Sequence, residues 1–306
     1  MKLILFLVLL STNLFAQNIL KVKGQNFSFY SNMSLVENHN IDHAIITIHG
    51  SARNPETYLK SVVAVSKKLG REQSTLVVSP HFKIAGDTMI SNELFFSYEG
   101  WWIGDQSLTP NSVSSFEVIE KFINTLASPK LFPNLKTIVI TGHSAGGHLT
   151  QRLALGTQVD KNLHGVELKF IVANPGTYAY LSNKRPVPNL FGVFEVPKNP
   201  GCAYNHYKYG LEKLNPYMLK SSKTEMISNF IQRDVTYFLG EADTGEVEQT
   251  CEASLQGPHR FARGKNFKAH VDEEYPQNIH QIIIVPNVGH TQYGMYTSSM
   301  GTELLF

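Results

Sequence analysis

A Gly-x-Ser-x-Gly pentapeptide constrains this chain more than any other feature of its sequence. Gly142-His143-Ser144-Ala145-Gly146 directly follows the β-branched apolar run 137–141 and directly precedes a helix-like run, 147–155. This order predicts a buried strand, a sharp turn that carries the serine, and a helix. Small residues around the serine relieve crowding where its backbone is strained. The alternative is a glycine-rich turn whose serine only caps the helix.

Apolar runs and helical stretches alternate along the rest of the chain. Strands are expected at 19–23, 27–31, 43–48, 75–79, 137–141, 169–173, 235–239 and 281–285. Helices are expected at 55–69 (capped by Asn54), 112–127, 147–155 and 224–231. The first two strands should form an antiparallel hairpin around Gly24. The alternation predicts an α/β fold with a mostly parallel central sheet, helices on both faces and catalytic groups at the carboxyl ends of strands.

Two long segments do not fit the alternation, 83–111 and 177–223. We expect both to be insertions over the active-site end of the sheet, not separate domains. The first contains an aromatic run that ends at Trp101 and Trp102. These rings either line an apolar substrate pocket or pack the insertion onto the sheet.

The first sixteen residues are typical of a secretory signal peptide. Met-Lys precedes the apolar run 3–10, and cleavage is expected after Ala16. The alternative is a membrane anchor, but the run is too short to span a bilayer comfortably. We therefore expect a single domain over 17–306, secreted or periplasmic, without stable membrane insertion.

Charge and cysteine content limit which binding partners, cofactors and cross-links we expect. Lys and Arg number 27 against 25 Asp and Glu, and no basic stripe is present, which argues against a nucleic-acid partner. No cluster has zinc-ligand spacing, so neither a metal nor another cofactor is expected. The two cysteines, Cys202 and Cys251, predict one disulfide in an exported protein, the alternative being two buried thiols. No feature bears on oligomeric state.

A serine nucleophile needs a base and an acid that orients the base. The strand 235–239 leads into Gly240-Glu241-Ala242-Asp243, and the last strand leads towards His290. Ser, acid, His is the order of the α/β-hydrolase superfamily, and the chain resembles that family from the strand before His49 to His290. The resemblance implies a catalytic triad of Ser144, Asp243 and His290. Glu241 and Glu246 remain alternatives for the acid.

The oxyanion hole of such an enzyme needs two backbone donors. One is expected to be the N–H of Ala145. The loop 48–54 resembles the family's His-Gly-x oxyanion loop, which implies the Ser51 N–H as the second donor, with Ala52 as the alternative. His49 is interpreted as a loop brace, and His143 as a structural residue that faces away from the site.

Within the superfamily the chain looks most like secreted esterases and polyester depolymerases. This predicts an exported serine hydrolase that cleaves carboxylic esters of small-molecule or polymeric acyl substrates. The alternatives are a serine peptidase or amidase on the same fold, and a non-catalytic binding or adhesion protein.

Overall fold

A computed structural model of the protein describes residues 15–306. The expected signal peptide, 1–16, lies outside the described residues except for its last two positions. Within the described range, no helix combines the length and apolar character that a bilayer crossing requires.

Ten strands occur along the described chain, eight of them in one sheet. They are β1 Gln17–Val22, β2 Gln25–Ser31, β3 His43–Ile48, β4 Thr75–Pro80, β5 Thr137–His143, β6 Glu167–Ala173, β7 Arg185–Pro186, β8 Phe194–Glu195, β9 Asp234–Gly240 and β10 Gln281–Val285. The main sheet has the order β1-β2-β4-β3-β5-β6-β9-β10, and β7 pairs with β8 separately. In the main sheet β2 runs antiparallel to both of its neighbours, β1 and β4, and every other pair of adjacent strands is parallel. The mostly parallel sheet and the hairpin around Gly24 follow the sequence prediction.

Helices cover both faces of the sheet. They are α1 Pro55–Lys68, α2 Gly100–Ile103, α3 Ser115–Leu126, α4 Ala145–Gly156, α5 Lys223–Phe230, α6 Cys251–Ser254, α7 Arg260–Glu274, α8 Gln292–Thr297 and α9 Ser299–Leu305. Buried side chains of α3, α4, α5 and α7 join one core cluster, and those of α1, α8 and α9 join another. Alternate residues of β5 enter the two clusters, as the two-residue period of a strand requires.

One predicted helix start and one predicted helix cap needed correction. The helix expected from residue 112 begins at Ser115, because Ser114 forms a capping box with Glu117 and ends the preceding loop there. Asn54 occupies the cap position of α1, but its side chain makes no capping hydrogen bond. The helix starts at Pro55, whose fixed φ suits the first turn.

The two insertions pack against each other. The Tyr207 hydroxyl donates to the Ile103 carbonyl at 2.5 Å, and Lys208 Nζ lies 2.8 Å from a Glu99 carboxylate oxygen. The Arg152 guanidinium of α4 donates to the Lys208 carbonyl at 2.9 Å, so the second insertion is also tied to the helix after Ser144.

The aromatic run of the first insertion lies mostly in the core. Trp101 is fully buried, and its ring stacks on Phe82 with centroids 5.3 Å apart. Trp102 is 8% exposed. For Trp101, packing of the insertion onto the sheet is therefore the correct interpretation, and the pocket interpretation is wrong.

Candidate active site

Ser144 occupies a strained turn between β5 and α4. Its φ of 61° and ψ of −117° lie in a region that residues with a side chain rarely adopt. The Ser144 N–H donates to the Ala173 carbonyl at 3.0 Å. A Cβ at position 147 would lie 2.5 Å from the same carbonyl oxygen, and one at position 146 would lie 2.7 Å from the His49 carbonyl oxygen. Glycine is therefore required at both positions so that the turn can pack on β3 and β6.

The structure brings Ser144, His290 and Asp243 together from the carboxyl ends of three strands. His290 Nε2 lies 3.0 Å from Ser144 Oγ, and His290 Nδ1 lies 2.7 Å from Asp243 Oδ2. The Asp243 side chain is 1% exposed and that of His290 is 32% exposed. In this arrangement the imidazole can take the proton of the serine hydroxyl, and the buried carboxylate orients the imidazole.

The loops that carry the acid and the histidine lie side by side. The Ala242 N–H donates to the Val288 carbonyl at 3.0 Å. Among the acid candidates, only Asp243 contacts His290. Glu241 instead accepts the Asn287 N–H at 3.2 Å, and Glu246 is exposed.

A positive charge adjoins the buried carboxylate. Arg260 Nη1 lies 3.5 Å from Asp243 Oδ1, the oxygen that faces away from His290. The Phe261 N–H donates to the Asp243 backbone carbonyl at 3.2 Å, so the start of α7 is anchored to the acid turn. Sequence reasoning missed Arg260, because α7 itself was not predicted.

The loop after β3 lies against the serine. A Cβ built on Gly50 would lie 3.7 Å from Ser144 Cβ, and the Arg53 N–H closes a turn onto the Gly50 carbonyl at 3.0 Å. Ser51 is exposed in the centre of this turn, and Ala145 is the first residue of α4. The first backbone N–H groups of a helix have no partner inside the helix, so the Ala145 N–H is free to bind an anion.

Two solved structures share the overall architecture of this chain. The chain superimposes on poly(aspartic acid) hydrolase-1 from Sphingomonas sp. KT-1 with a TM-score of 0.66 and 21% identity, over 95% of this chain and 98% of that one. It superimposes on LpqC, a poly(3-hydroxybutyrate) depolymerase from Bordetella parapertussis, with a TM-score of 0.65 and 17% identity, over 95% and 90% of the chains. The protein has the α/β-hydrolase fold. No protein-family model matches the sequence, and a search among curated proteins finds no significant relative.

In this α/β-hydrolase fold, His49 braces the loop after β3. Its ring is fully buried, Nδ1–H donates to the Gly50 carbonyl at 2.9 Å, and Nε2 accepts the Phe82 N–H at 3.0 Å. Burial lowers the pKa of His49 to about 3, so the ring stays neutral. Both ring nitrogens are used in holding the backbone, which agrees with the brace interpretation.

His143 does not face away from the α/β-hydrolase site, and that expectation was wrong. Its ring centroid lies 4.5 Å from that of His290, with the planes tilted by 36°. His143 is the last residue of β5, so its ring lies at the carboxyl end of the sheet, where it contacts the His290 ring. Sequence reasoning also missed Asn174, which lies within 3.4 Å of His143. Its only sequence signal is its position directly after the predicted strand 169–173.

Among residues 15–306, no group of three or more His, Cys, Asp or Glu side chains is arranged to hold an ion. The one covalent cross-link in that range is the disulfide between Cys202 and Cys251, which joins the second insertion to the segment after β9.

Proposed function

We propose that this protein is an exported serine hydrolase that cleaves carboxylic esters. Ser144 is the nucleophile, His290 the general base and acid, and Asp243 the residue that orients His290. The observation that carries the proposal is the pair of contacts on one imidazole, 3.0 Å to the serine hydroxyl and 2.7 Å to a buried carboxylate.

The proposed reaction has two halves. Ser144 Oγ attacks the acyl carbon while His290 Nε2 takes the hydroxyl proton, and the same nitrogen then returns that proton to the departing alcohol. In the second half His290 Nε2 takes a proton from a water molecule as that water attacks the acyl-enzyme, and the imidazolium then returns the proton to Ser144 Oγ as the acid is released. The Ala145 N–H and the Ser51 N–H are the proposed donors to the oxyanion in both halves.

Amide hydrolysis is the second candidate within the same mechanism. One of the two solved structures described above is called a poly(aspartic acid) hydrolase, which implies an amide polymer, and the other a poly(3-hydroxybutyrate) depolymerase, which implies a polyester. Both names favour a polymeric acyl substrate. Release of acid from matched ester and amide substrates with a common acyl group distinguishes the two reactions.

An active-site-directed fluorophosphonate tests the nucleophile. We expect covalent labelling of the wild-type protein and none of Ser144→Ala, whose kcat should fall by roughly 10⁴- to 10⁶-fold. Ser51→Ala is the matched control, because Ser51 is an exposed serine next to the site and its proposed role uses only the backbone N–H. Labelling that persists in Ser144→Ala, or none in the wild-type protein, would contradict the assignment.

Export remains part of the proposal. The disulfide supports an oxidising compartment, where such bonds persist. Amino-terminal sequencing of protein recovered outside the cytoplasm should start at Gln17 if the leader is removed after Ala16.

A further inference from the structure

The ring of His143 packs against the ring of His290, the general base of the proposed triad. His143 is 3% exposed, and its ring lies 4.5 Å from the His290 ring. With a tilt of 36° between their planes, the two rings are closer to a stacked than to an edge-on arrangement. His290 is held along its edge by two polar contacts, at Nδ1 and Nε2, so the His143 contact supports it in a third direction.

Asn174 fixes the orientation of His143. The Asn174 side-chain oxygen accepts the Gly240 N–H at 2.8 Å, which turns its amide nitrogen towards His143 Nε2 at 3.4 Å. An amide nitrogen can only donate, so His143 Nε2 accepts and its proton resides on Nδ1. Asn174 is 1% exposed and its N–H donates to the Phe238 carbonyl at 3.2 Å. The His143 ring is thereby tied to the strand end that leads to the acid turn.

His143 is uncharged in this setting. Burial holds the pKa of His143 well below the usual value of 6.5, and the neighbouring charges of His290 and Arg260 lower it further. A neutral ring can lie against an imidazolium, whereas a second imidazolium there would repel it. The face of a neutral aromatic ring attracts a cation, more strongly when water is excluded.

We propose that His143 is a positioning residue that holds the His290 ring between Asp243 and Ser144 and stabilises the imidazolium formed during turnover. This inference rests on the proposed serine-hydrolase function. The proposed role needs a flat, neutral ring at position 143 and does not need a proton donor there. Phenylalanine should therefore replace histidine better than an aliphatic side chain of similar volume.

Several polar and charged groups other than His143 surround His290. They are Asp243 and Ser144 on its ring nitrogens, Arg260 beyond Asp243, His259 near that carboxylate, and Glu241 at the backbone of the same loop. All of them are unchanged in substitutions at position 143. A difference between two such variants therefore reports the ring contact itself.

The test compares His143→Leu with His143→Phe. The rate of inactivation by a fluorophosphonate is measured from pH 5 to pH 9, because this probe needs no knowledge of the substrate. His143→Leu should lower the limiting rate by roughly ten- to a hundredfold, as expected when a reacting group loses its alignment. His143→Phe should lower it far less.

The pH profile separates positioning from simple packing. Without a ring face the imidazolium formed during turnover is less stable, and this loss should be visible in the acidic limb of the inactivation profile. The acidic limb of His143→Leu should move down by about half a unit to one unit, and that of His143→Phe should not move down. Melting temperatures of both variants check the fold, and His143→Gln, which can still accept from Asn174 but has no ring, replaces an unstable leucine variant.

Two results would overturn the inference. If both the leucine and the phenylalanine variants keep the rate and the acidic limb of the wild-type protein, position 143 only fills space. A phenylalanine variant as impaired as the leucine variant would show that the imidazole nitrogens are needed. Absence of labelling in the wild-type protein is a different failure, since it refutes the proposed function on which the inference rests.

Discussion

The Val288 carbonyl lies directly against Cα of Gly240, so the acid turn and the histidine loop meet with no side chain between them. A Cβ at position 240 would also lie 3.1 Å from the Gly289 carbonyl oxygen, one residue before His290. The 2.7 Å contact between His290 Nδ1 and Asp243 Oδ2 depends on this close approach.

Gly240→Ala should therefore impair catalysis more than binding. The added methyl group must push the 286–290 loop away from the acid turn, and a displacement of about 1 Å in a reacting group can cost on the order of 100-fold in kcat. Gly245→Ala is the matched control, because nothing lies within 4 Å of a Cβ there. Steady-state kinetics on one ester substrate gives the comparison, and equal kcat values for the two variants would contradict it.

Asp243→Asn should cost far more activity than either nearby glutamate change. An asparagine amide cannot orient His290 as a carboxylate does, and the corresponding change in a serine protease costs about 10⁴-fold in kcat. Glu241→Gln and Glu246→Gln should stay near the wild-type rate, since neither side chain contacts His290. Near-normal turnover in Asp243→Asn would transfer the role of the acid to one of the glutamates.

The proposed Ser51 donor is testable because the turn at this position tolerates proline. Ser51 follows Gly50 in the turn closed by the Arg53 N–H, which is the position where proline is favoured. Ser51→Pro removes the backbone N–H and should lower kcat by about 10²- to 10³-fold, whereas Ser51→Ala keeps it and should stay active. An active proline variant would move the donor to Ala52.

Most of the sheet was predictable from local sequence, for a physical reason. Strands such as β3 and β4 are buried along their whole length, so they are rich in apolar and β-branched residues. The carboxyl ends of parallel strands also lie at the same end of the sheet. Ser144, Asp243 and His290 could therefore be grouped although up to 146 positions separate them.

The unpredicted elements lack such a pattern. Helix α7 is the longest helix described, yet it buries Arg263, Gly264 and His270 beside two apolar side chains, so no apolar stripe marks it. The roles of Arg260 and Asn174 arise only when segments distant in sequence meet. A single polar residue after a strand does not indicate which side chain it will contact.

Loss of the Cys202–Cys251 bond should destabilise the protein while leaving acyl preference nearly unchanged. The bond closes a loop of 49 positions, which constrains the unfolded chain by about 4 kcal/mol at most. The double variant Cys202→Ser with Cys251→Ser should melt lower by up to about 7 °C. Differential scanning calorimetry, with the reduced wild-type protein as a second sample, measures the effect, and unchanged melting in both would refute it.

Acid stability depends in part on a buried, unpaired histidine. His270 is fully buried with its ring 4.7 Å from that of Tyr180, and neither of its nitrogens has a hydrogen-bond partner among residues 15–306. Burial, reinforced by Arg185 and Lys184, lowers the pKa of His270 from 6.5 to about 3. Between these values the unfolded chain binds a proton that the folded protein does not. The stabilising contribution of neutral His270 is thus complete above pH 6.5 and is lost as pH falls towards 3.

His270→Phe should make the protein less sensitive to acid. Each such histidine lowers the free energy of unfolding by about 1.4 kcal/mol per pH unit in this window, so between pH 6.5 and pH 5 the variant should lose about 2 kcal/mol less than the wild-type protein. A phenyl ring fits among Tyr180, Phe194 and Phe267, so stability at pH 8 should not fall much. Urea unfolding at several pH values measures this, with the exposed His39→Gln as control. Parallel curves for wild type and His270→Phe would mean that His270 is already charged in the folded protein.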